Sequence, residues 1–143
     1  MALDLTDLAE ALRDVSAGIA GLKSRSIGLS QALPKTPALE VVPLRGRIRI
    51  EAGGAGLSRL RTASFDVAIY VPLSPNLETD ERALRPLLEA YLNAFEAGDA
   101  TLGGLVEQAR ATEYEFGVAR RGERDYRYAS LLVIAGDLDE EGA

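Results

Sequence analysis

The chain has 143 residues and a mass of 15.3 kDa, enough for one domain; such a chain buries roughly 68–70% of the surface it exposes when unfolded. It has neither cysteine nor histidine, which removes disulfides, thiolate metal sites and the commonest acid–base and imidazole–metal arrangements. A net charge of −6 argues against a general nucleic-acid binder, because neutralising phosphates requires a basic surface.

The opening MALDLTDLAE is acidic and amphipathic, unlike a secretory signal. No apolar run approaches the ~20 residues of a membrane span, so we expect a soluble protein made in a cytoplasm. Fourteen cations are arginine and two are lysine. Arginine suits planar, multi-contact pairing with carboxylates at interfaces, although a GC-rich genome produces the same bias.

Residues 3–23 place Leu5, Leu8, Leu12, Val15, Ile19 and Leu22 at 3-4-3-4-3 spacing, which predicts an amphipathic helix packed on a sheet or on a neighbouring copy. Residues 24–44, with Pro34, Pro37 and Pro43, predict a flexible connector. RGRIRIE (45–51) and RTASFDVAIYV (61–71) alternate and flank AGGAG (52–56), a hairpin pattern. Thr79 is the expected N-cap of a second helix carrying Leu84, Leu88, Tyr91 and Phe95 on one face. Pro86 predicts a kink in it or a later start, and Gly98 its end.

Residues 106–119 and 124–137 form a second, long hairpin around Arg120–Glu123. About 13 residues at ~3.3 Å give roughly 43 Å, so this hairpin is expected to project past the helices. The acidic stretch 137–143 is expected to fray. The pattern predicts one α+β domain over 1–143: a mainly antiparallel sheet of about four strands in two hairpins, packed with two helices.

EAGGAGLSR (51–59) superficially resembles a phosphate loop but lacks the lysine and Ser/Thr that reach phosphate and magnesium. Glu113 and Glu115 share a strand face as an acid and a base would, and a solvated sheet face is the simpler reading. Asp137, Asp139, Glu140 and Glu141 lack the spacing of a calcium loop. We therefore expect no enzyme, no cofactor and no metal. Gly103 and Gly104, between helix and strand with no nucleophile or base beside them, read as a hinge. Arg120, Arg121 and Arg124, with Tyr126 and Tyr128, cluster at the hairpin tip, and Arg45, Arg47 and Arg49 line the first strand. Arg and Tyr are the commonest hot-spot types, so both sets are candidate protein–protein contacts. Single-stranded nucleic acid is the alternative for the tip.

The order of elements is an amphipathic helix, a proline-rich link, a hairpin, a second helix, DATLGGLVE, and a long hairpin ending in ASLLVIAGDLD. In this order the chain resembles the tail terminator, or tail-completion, proteins of long-tailed bacteriophages and phage-like particles. These often show a helix followed by a D-x-T-L-G-G-like turn, here Asp99 and Thr101 to Gly104, and a closing pair of strands. The resemblance implies a homo-hexameric ring on the last ring of the tail tube. That ring sits at the head-proximal end of the tail in the virion, after assembly in the host cytoplasm. The partners implied are further copies of the chain, the tail tube protein and the head–tail connector protein, with no specific nucleic acid and no membrane. Charge reversal at Arg120 and Arg121 is then expected to weaken association without unfolding the monomer. A neck or connector component of the same particle, and a small ligand-binding regulatory module, are the rival readings.

Overall fold

The computed structural model describes residues 3–28, 33, 35–53 and 56–137, with the backbone alone between 49 and 60. Helix α1 (Leu5–Asp14) starts at Asp4, whose carboxylate accepts the Asp7 amide at 3.0 Å. The helix predicted over 3–23 is shorter, and one 3-10 turn, Val15–Gly18, follows it. Ser16 and Gly18 are weak helix formers. The Arg25 guanidinium takes up the carbonyls of Ser16 (3.0 Å) and Ile19 (2.8 Å), as a cation does at a helix C-terminus.

The sheet corrects the expected four antiparallel strands. Among the described residues it has five strands and is mixed, in the order β1-β2-β3-β5-β4. These are β1 Ser24–Ile27, β2 Ala38–Gly53, β3 Gly56–Pro72, β4 Gln108–Arg121 and β5 Arg124–Gly136. β1 runs parallel to β2, and the remaining pairs are antiparallel. Stretches of the predicted connector 24–44 are therefore strand. Ala38, Leu39, Glu40 and Val41 are buried on both faces and so show no alternation. β1 is a four-residue edge strand, which leaves almost no periodicity to read.

Both helices cover the same face, α1 over β1 and β2, and α2 (Leu77–Ala97) over β3 and β5. Between them Phe65, Val67 and Ile69 meet Leu131 and Val133 and the α2 stripe of Leu84, Leu88, Tyr91 and Phe95. Tyr91 is fully buried and donates its hydroxyl to the Leu12 carbonyl at 2.7 Å, tying the helices together. Burial pushes that hydroxyl well above the ordinary tyrosine range. The α2 cap is Asn76 rather than Thr79: its Oδ1 accepts the amides of Glu78 (3.0 Å) and Thr79 (3.3 Å). Pro86 costs ~3 kcal/mol in a helix interior, yet α2 neither starts later nor ends there. Each fully buried Leu, Tyr or Phe returns roughly 1.5–3 kcal/mol, so the stripe outweighs one lost bond.

The expected overhang belongs to the other hairpin. β5 pairs with β3 along Thr62–Pro72 and with β4 along nearly its whole length, so the C-terminal hairpin lies within the sheet. Past Thr62, β2 and β3 continue from Ile48↔Arg61 to Gly53↔Gly56 with no further strand paired to them among the described residues. Six residues per strand at ~3.3 Å make a ribbon of roughly 20 Å. Asp137 anchors its root, donating its amide to the Arg61 carbonyl (2.9 Å) and accepting the Arg61 amide (3.0 Å). The remainder of the tail expected to fray, 138–143, lies outside the described residues.

Candidate assembly surface

The face of the sheet away from the helices is split into two regions. At one end a small apolar cluster, Leu33, Ala38, Ala68, Tyr70 and Tyr126, covers a buried ion pair. The Glu40 carboxylate is fully buried and takes both terminal nitrogens of Arg121, the second at 2.9 Å. The Tyr70 ring lies 5.4 Å from the Arg121 guanidinium carbon. The hydrogen bond to Glu40 raises Arg121 above its already high ordinary value, so its charge is fixed.

At the other end is a half-open depression of about 450 Å³, lined by Asp66, Ser64 and Ser130, by Glu113 and Glu115, and by Arg45 from β2. Tyr128 folds flat over Gly117, where a Cβ would lie 2.6 Å from its hydroxyl oxygen, and donates that hydroxyl to Glu115 at 3.3 Å. Partial burial pushes the Asp66 carboxyl above the ordinary carboxylate range, and the Glu115 charge adds to this, while the Ser130 hydroxyl opposes it. A group whose folded value is raised stabilises the fold below its unfolded value, and that contribution is lost as pH rises through the folded value. Asp66→Asn is therefore expected to stabilise the protein at pH 7, by less than about 1 kcal/mol for so open a site. The gain should vanish below about pH 4, near the unfolded aspartate value. Urea melts at several pH values check it, and an acid-side gain would contradict it.

The arginines and tyrosines predicted as contacts divide four ways. Arg45, Arg47, Arg120 and Arg124 are exposed, with Arg120 3.7 Å from Asp125. Arg49 holds a β2 position opposite Leu60, and its side chain lies outside the described residues. Arg121 and Tyr126 are turned inward, and Tyr128 is half-buried. The tip therefore offers two exposed arginines rather than a five-residue cluster. Asp66 and Glu40, which shape this face, escape sequence reading; the available signal is a lone acid inside each apolar run, SFDVA and ALEVV.

The double glycine forms a hydrogen-bonded turn. Leu102, Gly103 and Gly104 take φ of 51°, 75° and 86°, a left-handed run that favours glycine. Asp99 Oδ1 accepts the Thr101 hydroxyl (2.7 Å) and amide (2.8 Å), Oδ2 accepts the Gly103 amide (3.2 Å), and the Gly104 amide donates to Thr101 Oγ1 (3.0 Å). The Thr101 hydroxyl and these amides hold the Asp99 carboxyl below the ordinary range. The amides of Thr101, Leu102, Gly103 and Gly104 are thus all used within the turn. Among the described residues no group of three or more Asp or Glu is placed to hold a metal ion, and no helix is long and apolar enough to cross a membrane.

Comparison with protein-family models and with curated proteins finds no match to this chain.

Proposed function

We propose that the chain is a structural virion protein whose copies form a ring on the head-proximal end of a phage tail tube. The ring ends tube polymerisation and presents the docking surface for the head connector. The observation that carries this reading is the incompleteness of the single subunit. Among the described residues β2 has no strand on its outer side past Val41, β4 has none along its fourteen residues, and β2 and β3 extend past the sheet as a two-stranded ribbon. Ile48 at the root of the ribbon is 71% exposed, and Tyr114 on β4 is 63% exposed. Open edges of this length template pairing with another chain, and an isolated two-stranded ribbon is marginal in water. The element order gives further support: a helix, a hairpin, a second helix, the Asp99–Gly104 turn and a closing hairpin.

Capping then works by edge satisfaction. The ring covers the backbone and apolar surface that the next tube ring needs, and its far face lacks that template. The test is to add the protein to polymerising tail tube protein of the same particle and to image the tubes. Rings at one end only, with elongation stopped at that end, are the expected result. Tubes of unchanged length with bare ends would overturn the reading.

A further inference from the structure

Two strands of this sheet carry opposite patterns. On β4, Glu113 and Glu115 are exposed on the helix-free face, while Tyr114 and Val118 are exposed on the other, at 63% and 53%. On β2, Arg47 lies opposite Thr62 on the helix-free face, and Ile48 is exposed on the helix side. Arg49 holds the position in phase with Arg47 two residues on. EYEF thus alternates acid and aromatic, and RIRI alternates base and aliphatic, with the charged positions of both on the same face of the sheet.

Within one chain these strands cannot pair. β3 and β5 lie between them, three strand steps or roughly 14 Å, and their open edges point in opposite directions. Between copies they fit. Arginine opposite glutamate on one face and isoleucine opposite tyrosine on the other are both favourable cross-strand pairs. A slip by one residue would set arginine against the aromatic positions, so the alternation also restricts the register. The same argument rejects symmetric pairings: β2 on β2 opposes arginines, and β4 on β4 opposes glutamates.

We propose that the open edge of β2 in one copy adds to the β4 edge of the next, with Arg47 and Arg49 set against Glu113 and Glu115. Two different surfaces meet in this contact, so it is heterologous and propagates head to tail until a ring closes. The proposal rests on the reading that copies assemble in a ring, and it names the surfaces that join them. Arg45 is left out because it sits at the Pro43/Arg45 bulge, before the alternating RIRI run begins at Arg47.

The experiment uses two full-length charge variants, R47E/R49E and E113R/E115R, with mass read by light scattering, with and without tube protein. Each variant alone presents like charges at both edges and should fail to assemble under conditions in which the wild type does. Mixed in equal amounts, they should assemble again with the two variants alternating, because each β2 edge now meets an opposite β4 edge. Far-UV circular dichroism checks folding, and the single pair R47E and E115R repeats the test if a double variant unfolds. Variants that assemble alone like the wild type would overturn the inference and leave the ring standing. A mixture that stays dissociated would also overturn it. A wild type that never assembles, even on tubes, would overturn both the inference and the ring.

Discussion

Replacing Arg121 with alanine should destabilise the fold by about 3–5 kcal/mol, the typical cost of removing one partner from a buried pair. Glu40 has no exposed side-chain surface, Arg121 has 10%, and Tyr70 and Leu33 are part of the apolar cluster beside them. Without the guanidinium the carboxylate stays desolvated against that cluster. For a domain of this size the loss corresponds to a fall in melting temperature on the order of 10 °C. Replacing both partners with leucine leaves no orphaned charge and should return most of the stability. The structure thus separates two arginines that the sequence presents as equals. Arg120→Glu alters an exposed residue and should leave the monomer folded, whereas Arg121→Glu buries two carboxylates together. Denaturant melts of these variants decide the matter, and a cost below about 1 kcal/mol for Arg121→Ala would mean the pair behaves as a surface one.

The second large effect is at Asp80. Its carboxylate accepts from Arg127 at 2.8 Å and from the Ser74 amide at 3.0 Å, pinning the first turn of α2 to β5 and to the loop before the helix. Asp80→Ala removes both contacts and leaves the largely buried Arg127 unpaired, for an expected loss of about 3 kcal/mol. The pH dependence has a definite sign. Burial acts to raise the Asp80 carboxyl, but the hydrogen bonds from Arg127 and Ser74 outweigh it and hold the group below the ordinary range. With the folded value depressed, the contribution is complete above the unfolded value, about pH 4, and is lost as pH falls through the folded value. The gap between wild type and Asp80→Ala should be constant from about pH 5 upward and narrow in acid. A gap that widens in acid would contradict the assignment.

Legibility followed periodicity. The stripe Leu84, Leu88, Tyr91, Phe95 and the alternation Phe65, Val67, Ile69 are long, regular patterns, and those residues are all in the core. What was lost is what breaks a period. β1 is too short to show one, and the start of β2 is buried on both faces. Bulges at Pro43/Arg45 and at Ala111/Glu113 shift each strand's phase partway along. Sequence puts the overhang on the wrong hairpin because strand length says nothing about which strand lies beside it. β3 pairs with β5 across α2 and β4 in sequence, a non-local choice, and the ribbon is whatever that pairing leaves uncovered. In the tip cluster, Arg121 reads like Arg120, and only the distant Glu40 distinguishes them.

In the proposed ring, neighbouring copies cover the open β2 and β4 edges and the ribbon, and the alternating charges pair across the contact. The most direct measurement is light-scattering mass after size exclusion across a range of concentrations, alone and with tail tube protein, with the tube fractions imaged. The account predicts a species near six times 15.3 kDa, either free or as rings at one end of the tubes. A strict monomer or dimer at every concentration that also ignores tubes would contradict it.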